Sequence, residues 1–137
     1  MAVFNKFNAF VEAVAEGLHN LGSDQLVVAL CNAVNAPTAT DAVLTDLTEI
    51  PYTNLGSRNI ITSTSAQTGG LYKLTCADLT LSATGAVAAF QYIVVYNDTA
   101  VADNLVGFYD YGSELTLADG ESLLIDFDDA NGLLTIQ

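Results

Sequence analysis

Between residues 88 and 128 the chain contains three short apolar runs, which are separated by polar turn residues. The first run, residues 90–96, is apolar or aromatic at every position except Gln91 and is rich in β-branched side chains. A run of seven residues is too short for an independent helix and is typical of a strand buried on both faces. Residues 105–111 and 122–127 form the other two runs, so the pattern predicts a β core in this half of the chain.

The N-terminal residues follow a helical period instead. Between residues 3 and 18, apolar side chains recur every three or four positions and predict one amphipathic α-helix. These side chains are Val3, Phe4, Phe7, Phe10, Val11, Val14 and Leu18. The helix can pack on the sheet of its own chain, or it can act as an arm whose apolar face contacts another subunit or protein. The second role makes Phe4, Phe7, Phe10 and Val14 interface candidates.

Further short strands complete the expected fold. Strands are predicted at residues 25–31, 59–65, 71–75, 77–83, 115–117 and 133–136. Thr68-Gly69-Gly70 predicts one turn, and Asn131-Gly132 predicts a hairpin that joins the run at residues 122–127 to the strand at residues 133–136. Eight or nine short strands without βαβ alternation indicate a mainly β sandwich or barrel. We expect a single domain, with residues 1–22 as an N-terminal helix or arm and residues 23–137 as the β-sandwich.

Residues 32–56 interrupt this pattern with a long segment rich in Ala, Thr, Asn and Asp. The sequence predicts one helical turn within it, at residues 43–47. A loop of this length in a compact domain is unusual and is often functional. Two roles stay open: a loop that grips a partner, or a surface crossover between sheets. Tyr52 lies in this segment and is a further interface candidate.

The charge balance narrows the classes of partner. Sixteen acidic residues face three basic ones, Lys6, Arg58 and Lys73, and ten of the acids follow Lys73. Nucleic acids and anionic membranes both require clustered cations, so we expect neither as a partner. No apolar run approaches the roughly 18 residues that a membrane span needs. Glu12 and Glu16 interrupt the N-terminal apolar stretch, which predicts synthesis without a secretory signal.

Motifs for metal binding and catalysis are incomplete. Cys31 and Cys76 form no CxxC pair, and His19 is the single histidine, so we expect two free, buried thiols and no metal or cofactor. The segment from Asp126 to Gly132 resembles a calcium loop, but its sixth position is Asn131 rather than glycine.

A catalytic role has equally little support. Acidic pairs drawn from Asp110, Glu114 and Glu121 suggest a glycosidase only weakly, because the chain contains no tryptophan to stack on a sugar. We therefore expect a protein that is not an enzyme. Tyrosines outside the core suit an interface, since a ring gives a large contact area at a small entropic cost, and Tyr109 and Tyr111 are the candidates in the C-terminal half.

Three stretches carry a resemblance to a known family. They are FNKFNAFVEAVAEGLHNLGSDQLVVALCNA, TDAVLTDLTEIP and FQYIVVYNDTAVADNLVGFYDYGSELTLADGESLLIDFDDANGLLTI. Together they resemble small virion proteins of tailed bacteriophages and are similar to capsid cement or decoration proteins. The resemblance implies a jelly-roll-like antiparallel β-sandwich that forms a homo-oligomer, dimer or trimer, and binds the major capsid protein. It also implies assembly in the bacterial host cytoplasm and a place on the capsid surface of the virion. The alternative is a tail or tail-fibre-associated protein whose β-sandwich binds a receptor or carbohydrate.

Overall fold

The computed structural model describes residues 2–137, which form nine antiparallel strands and one α-helix. The helix, α1, spans Asn8–Ala15, and two short 3-10 turns lie at Ala33–Asn35 and Leu44–Asp46. The strands are β1 (Asn5–Lys6), β2 (Leu26–Cys31), β3 (Thr62–Thr68), β4 (Leu71–Cys76), β5 (Leu79–Ser82), β6 (Val87–Asn97), β7 (Leu105–Leu117), β8 (Ser122–Ile125) and β9 (Leu134–Ile136). The prediction of a mainly β chain with one N-terminal helix is confirmed.

The strands form three sheets. The largest has four strands in the order β1-β7-β6-β2, while β3-β4-β9 and β5-β8 form sheets of three and two strands. All six residues of β2 are buried, and so are residues 93–97 of β6, which pairs with β2. The two-sided burial predicted for residues 90–96 is therefore confirmed at Phe90 and residues 93–96, whereas Gln91 and Tyr92 are half-buried. Strands β2 and β6 form the centre of the hydrophobic core.

The helix begins later than the apolar spacing predicts, because the residues before it form a strand. Helix α1 starts at Asn8, whereas the sequence predicts a helix from residue 3 to residue 18. Strand β1 pairs with β7, and the Phe7 N–H continues this pairing by bonding the Val106 carbonyl at 3.2 Å. Phe7 is accordingly extended, with φ −70° and ψ 150°.

Gly107 of β7 allows this close approach of the N-terminal segment. Strand β1 lies directly beside it, with Lys6 as its register partner. A Cβ atom at Gly107 would lie 2.5 Å from the Phe4 ring and 2.7 Å from the Asn5 carbonyl oxygen. Only a glycine lets the two backbones and the Phe4 ring share this space.

The helix also ends earlier than predicted, at a left-handed Gly17. The Gly17 N–H bonds the Val14 carbonyl at 3.2 Å, and the Leu18 N–H bonds the Ala13 carbonyl at 2.9 Å. With Gly17 at φ +78°, these two bonds form a Schellman motif, which satisfies the last carbonyls of the helix. Leu18 therefore lies outside the helix and is 44% exposed.

The predicted hairpin at Asn131-Gly132 is wrong. Strand β8 pairs with β5, whereas β9 pairs with β4. The Leu133 N–H bonds the Leu74 carbonyl at 2.7 Å, so the chain leaves the turn alongside β4. The local turn signal is real, but pairing with β4 determines where the following strand lies.

Other predicted elements agree more closely with the structure. The Gly69-Gly70 turn joins β3 and β4, with φ +60° and +87°, as a two-residue hairpin requires. The predicted runs 105–111 and 115–117 belong to one strand, β7, whose register with β6 shifts in this region. Cys31 and Cys76 are free and buried as predicted, and burial raises the pKa of each thiol to about 11.

The long segment after β2 follows the free edge of β2 and covers it. The Ile50 N–H bonds the Leu30 carbonyl at 3.0 Å, and the Leu30 N–H donates to the Tyr52 hydroxyl at 2.9 Å. Arg58 binds both backbone groups of Val28, accepting from its N–H through the Arg58 carbonyl and donating to its carbonyl through Nη1. The segment thus acts as a crossover that satisfies the sheet edge, and a role in gripping a partner stays a prediction.

Candidate interaction surface

Three of the predicted interface residues lie together on one face of the large sheet. Tyr109 and Tyr111 are two positions apart on β7, so their side chains project to the same side. The Phe4 ring lies against Tyr109 with its centroid 5.0 Å away. Beside them is a cavity of about 160 Å³, which we call the tyrosine groove. Its lining residues are Ala2, Ile93, Tyr109, Tyr111, Leu123, Leu124, Ile125 and Asp126.

The tyrosine groove combines an apolar floor with an exposed rim. Tyr111 is 50% exposed and Leu124 is 59% exposed, while Ile93 and Ile125 beneath them are buried. Asp126 adds a carboxylate at the rim. Large apolar side chains that stay exposed around a concave surface are typical of a binding site.

Tyr109 contributes a hydroxyl that stays protonated in the groove. Burial is the main cause that raises the pKa of this hydroxyl, and the negative charges of Asp128 and Asp126 raise it further. The group is therefore neutral at physiological pH and can donate a hydrogen bond to a ligand or partner. The groove thus offers apolar area, one hydroxyl and one carboxylate.

Two of the predicted interface residues, Phe7 and Phe10, are core residues instead. They are 0% and 2% exposed, and their rings pack 5.1 Å from Phe108 and 5.2 Å from His19. Neither presents a side-chain surface to a partner, so the prediction that they contact another subunit is wrong for this structure. The helix packs on the sheet of its own chain, the first of the two roles that the sequence leaves open.

Val14 and Tyr52 lie apart from the tyrosine groove. Val14 is half-buried and lines a different groove, between α1 and Ile136 of β9. The Tyr52 hydroxyl donates to Glu49 Oε1 at 2.6 Å, and the Arg58 guanidinium stacks 3.6 Å above the Tyr52 ring. Burial is the first cause that raises the pKa of Tyr52, and the Glu49 carboxylate is the second. Tyr52 therefore has an intramolecular role at the edge of β2.

The acidic residues considered for catalysis each bind a different part of the backbone. Asp110 Oδ1 accepts from the Gly112 N–H at 2.8 Å, Glu114 Oε1 from the Ala33 N–H at 3.0 Å, and Glu121 Oε1 from the Ala118 N–H at 2.6 Å. All three side chains are exposed. Asp110 and Glu121 each bind a backbone group two or three residues away, whereas Glu114 connects β7 to the 3-10 turn at Ala33–Asn35.

The segment that resembles a calcium loop is held by its own side chains. Asp128 accepts hydrogen bonds from the Asn131 N–H at 3.1 Å and from the Asn131 amide at 2.8 Å, while its own N–H donates to Asp126 Oδ1. Hydrogen bonds from Asn131 lower the pKa of Asp128. Within residues 2–137, no group of three or more His, Cys, Asp or Glu side chains is arranged to hold a metal ion.

A buried polar cluster that the sequence pattern did not reveal joins the end of the N-terminal segment to β6. Asn97 is fully buried, and its Nδ2 donates to Asp24 Oδ2 at 2.7 Å and lies 3.0 Å from His19 Nδ1. Its Oδ1 accepts from the Thr99 N–H at 3.0 Å. His19 Nε2 is buried and has no hydrogen-bond partner among residues 2–137. The residues are up to 78 positions apart, so no local motif marks the cluster.

No helix among residues 2–137 has both the length and the apolar character needed to cross a lipid bilayer. Comparison with protein-family models, with curated proteins and with solved structures produced no match to this chain.

Proposed function

We propose that this protein is a bacteriophage capsid cement or decoration protein, which binds the major capsid protein and stabilises the head. The observation that carries the proposal is that the part of the sequence that resembles virion proteins also supplies residues of the tyrosine groove. Tyr109, Tyr111 and Leu124 all belong to the stretch 90–136, which resembles such virion proteins. The proposal includes a jelly-roll-like arrangement of the sandwich, a homo-oligomeric state, a non-enzymatic role and a place on the capsid surface.

The groove suits a contact with a protein surface that carries an apolar side chain next to a cation. Leu124 and Tyr111 supply exposed apolar area, and the Tyr109 hydroxyl and the Asp126 carboxylate supply polar partners. The net charge of −13 favours approach to a basic surface and discourages binding to an acidic one. A protein that binds only the assembled shell stabilises that shell by mass action.

The experiment compares shells of the co-expressed major capsid protein with and without this protein. We expect shells with the bound protein to rupture at a higher temperature than shells without it. Leu124→Asp should abolish binding to shells, because a carboxylate would have to be desolvated in the groove. Val101→Asp is the matched control, since Val101 is fully exposed in the turn between β6 and β7. Shells that resist heat equally well without the protein would refute the cement role.

A second candidate is a tail-associated protein that binds a receptor carbohydrate. The observation that favours it is the exposed Tyr111 ring beside Asp126, because a ring face and a carboxylate can stack on and hydrogen-bond a sugar. Host surface glycans should then quench tyrosine fluorescence in the wild type but not in Tyr111→Ala. Binding to glycans without binding to shells would favour this candidate over the capsid role.

A further inference from the structure

The outer edge of β3 makes no backbone hydrogen bond to any other strand among the described residues, and only the Ser65 side chain has a close neighbour there, at Gly22. Strand β3 pairs with β4 on one side and is the edge strand of its sheet. Six of its seven residues are exposed, from Ser63 to Thr68. An open edge offers a row of backbone N–H and C=O groups to another strand.

The register of the β3–β4 hairpin identifies the backbone groups that point outward. A two-residue turn at Gly69-Gly70 makes Thr68 and Leu71 a hydrogen-bonded pair. Hydrogen-bonded and non-hydrogen-bonded pairs alternate along an antiparallel ladder, so Ala66 also bonds to β4. Ser65 and Gln67 therefore direct their backbone N–H and C=O groups away from β4, towards solvent.

The sequence around this edge carries no charge. Residues 59–72 contain no Asp, Glu, Lys or Arg, although the chain has a net charge of −13. Proline, which also protects strand edges, is absent from this stretch as well. The edge of β3 thus has none of the side chains that ordinarily prevent pairing with another strand.

Other long edges of the same molecule are protected. Residues 50–60 cover β2, as described above. The outer edge of β7 beyond Phe108 carries Asp110 and Glu114, which would repel an acidic neighbour. Strand β3 therefore differs from β2, whose edge is covered, and from β7, whose edge carries acidic residues.

We infer that β3 pairs antiparallel with β3 of a second copy of this chain. A net charge of −13 on each copy opposes self-association, and the uncharged β3 edge is a surface on which two copies meet with little local repulsion. A two-fold axis uses the same patch on both copies and joins their three-stranded sheets into one sheet of six strands. This inference rests on the homo-oligomer in the proposed function. Of the two states expected there, dimer and trimer, the β3 contact forms a dimer.

The regular part of β3 places the two-fold axis at Ala66. The register with β4 is irregular between Thr62 and Thr64, so continuous pairing begins at Thr64. Outward-facing Ser65 of one copy then pairs with Gln67 of the other, and the two Ala66 residues face each other. Non-hydrogen-bonded partners have Cα atoms about 4.5 Å apart, a spacing that suits the small alanine side chain.

The first test places a charge at the axis. In Ala66→Glu, two carboxylates would face each other across the dimer, and we expect the dissociation constant of the dimer to rise about tenfold or more. Ala66→Gln has the same shape without the charge and should stay dimeric. Ala66 lies opposite Lys73 on β4 within one chain, so the carboxylate gains an intramolecular partner and the fold should keep its melting temperature. Analytical ultracentrifugation measures the oligomeric state of all three proteins.

The second test uses disulfide formation. Ala66→Cys should oxidise to a covalent dimer, whereas Thr80→Cys, on the exposed face of β5, should stay monomeric in denaturing gels. A wild type that is monomeric at high concentration, equal dimerisation of Ala66→Glu and Ala66→Gln, or equal cross-linking of both cysteine variants would overturn the inference. An oligomer that is insensitive to Ala66→Glu would leave the proposed capsid role standing. A β3 dimer that does not bind shells would overturn the capsid role alone.

Discussion

Nδ1 of His19 accepts a hydrogen bond from the side-chain amide of Asn97, at 3.0 Å. The orientation of that amide is fixed, since its oxygen already accepts from the backbone N–H of Thr99. A proton on Nδ1 would therefore face an N–H group of Asn97, and the imidazole is held neutral. Burial lowers the pKa of His19, and the charge of Asp24 opposes this shift only in part.

This arrangement predicts that the free energy of unfolding decreases as the pH is lowered below the ordinary histidine pKa of about 6.5. Above that pH the imidazole is neutral in both states and contributes no pH dependence. As the pH falls from about 6.5 to the lowered folded-state pKa, the unfolded chain binds more protons than the folded one, so the free energy of unfolding decreases. Urea unfolding measured from about pH 7.5 to about pH 5 checks this. His19→Gln should lose the slope in this range, and an equal slope in that variant would contradict the assignment.

Replacing Phe7 tests its place in the core. Phe7 is 0% exposed, so we expect Phe7→Ala to lower the free energy of unfolding by about 3–5 kcal/mol through lost burial and a residual cavity. Val11, on the same N-terminal segment, is 63% exposed, and Val11→Ala should change stability by less than about 0.5 kcal/mol. Denaturant unfolding measures both variants. Equal, small effects would show that the phenylalanine is available to a partner after all.

Gly107→Ala should detach the N-terminal segment from β7. The added methyl would meet the Phe4 ring at 2.5 Å and the Asn5 carbonyl at 2.7 Å, and we expect a loss of about 1–3 kcal/mol together with faster proteolysis before residue 8. Gly56→Ala is the control, because the nearest atom to its Cβ would be at an ordinary 3.5 Å. A Gly107→Ala protein as stable and as protease-resistant as this control would count against the strand pairing of β1.

Tyr52→Phe removes the hydroxyl that accepts from the Leu30 N–H. That N–H belongs to a buried residue of β2, so we expect an unsatisfied donor and a loss of about 1–3 kcal/mol. Tyr111→Phe is the matched control, since the Tyr111 side chain is half-exposed in the tyrosine groove, and its stability should stay within about 0.5 kcal/mol of the wild type. Thermal and urea unfolding of both variants decide the matter; equal stabilities would exclude this role for the hydroxyl.

Local patterns predicted those elements whose cause is local. The continuous apolar residues at 90–96 indicate burial on both faces whatever their neighbours are, and the Gly69-Gly70 turn requires the positive φ angles that it has. The start of α1 was not predictable in this way. Phe4 and Phe7 fit a helical period, but pairing of Asn5–Lys6 with β7 depends on Gly107, which is distant in sequence.

The sequence predicted the two tyrosines of the tyrosine groove as interface residues but did not predict Leu124. Tyr109 and Tyr111 were predicted as interface residues from their aromatic character alone, and the structure adds that they share one face of β7. Leu124 gave no signal, because its exposure depends on how β8 pairs with β5 rather than with β9. Phe7 and Phe10 were assigned to an interface because apolar periodicity alone cannot distinguish a core from a partner surface.

Residues 50–60, which cover the edge of β2, determine which parts of this molecule are expected to move. A long irregular segment ordinarily opens first, but residues 50–60 cannot lift without releasing backbone groups of Leu30, Val28 and Leu26 in the central sheet. Amide protons along β2 should accordingly exchange with solvent as slowly as those of β6. The fast-exchanging, easily deformed parts of the protein are then the Gly69-Gly70 turn and the turn at residues 98–104, and the longest loop belongs to the rigid body that carries these turns.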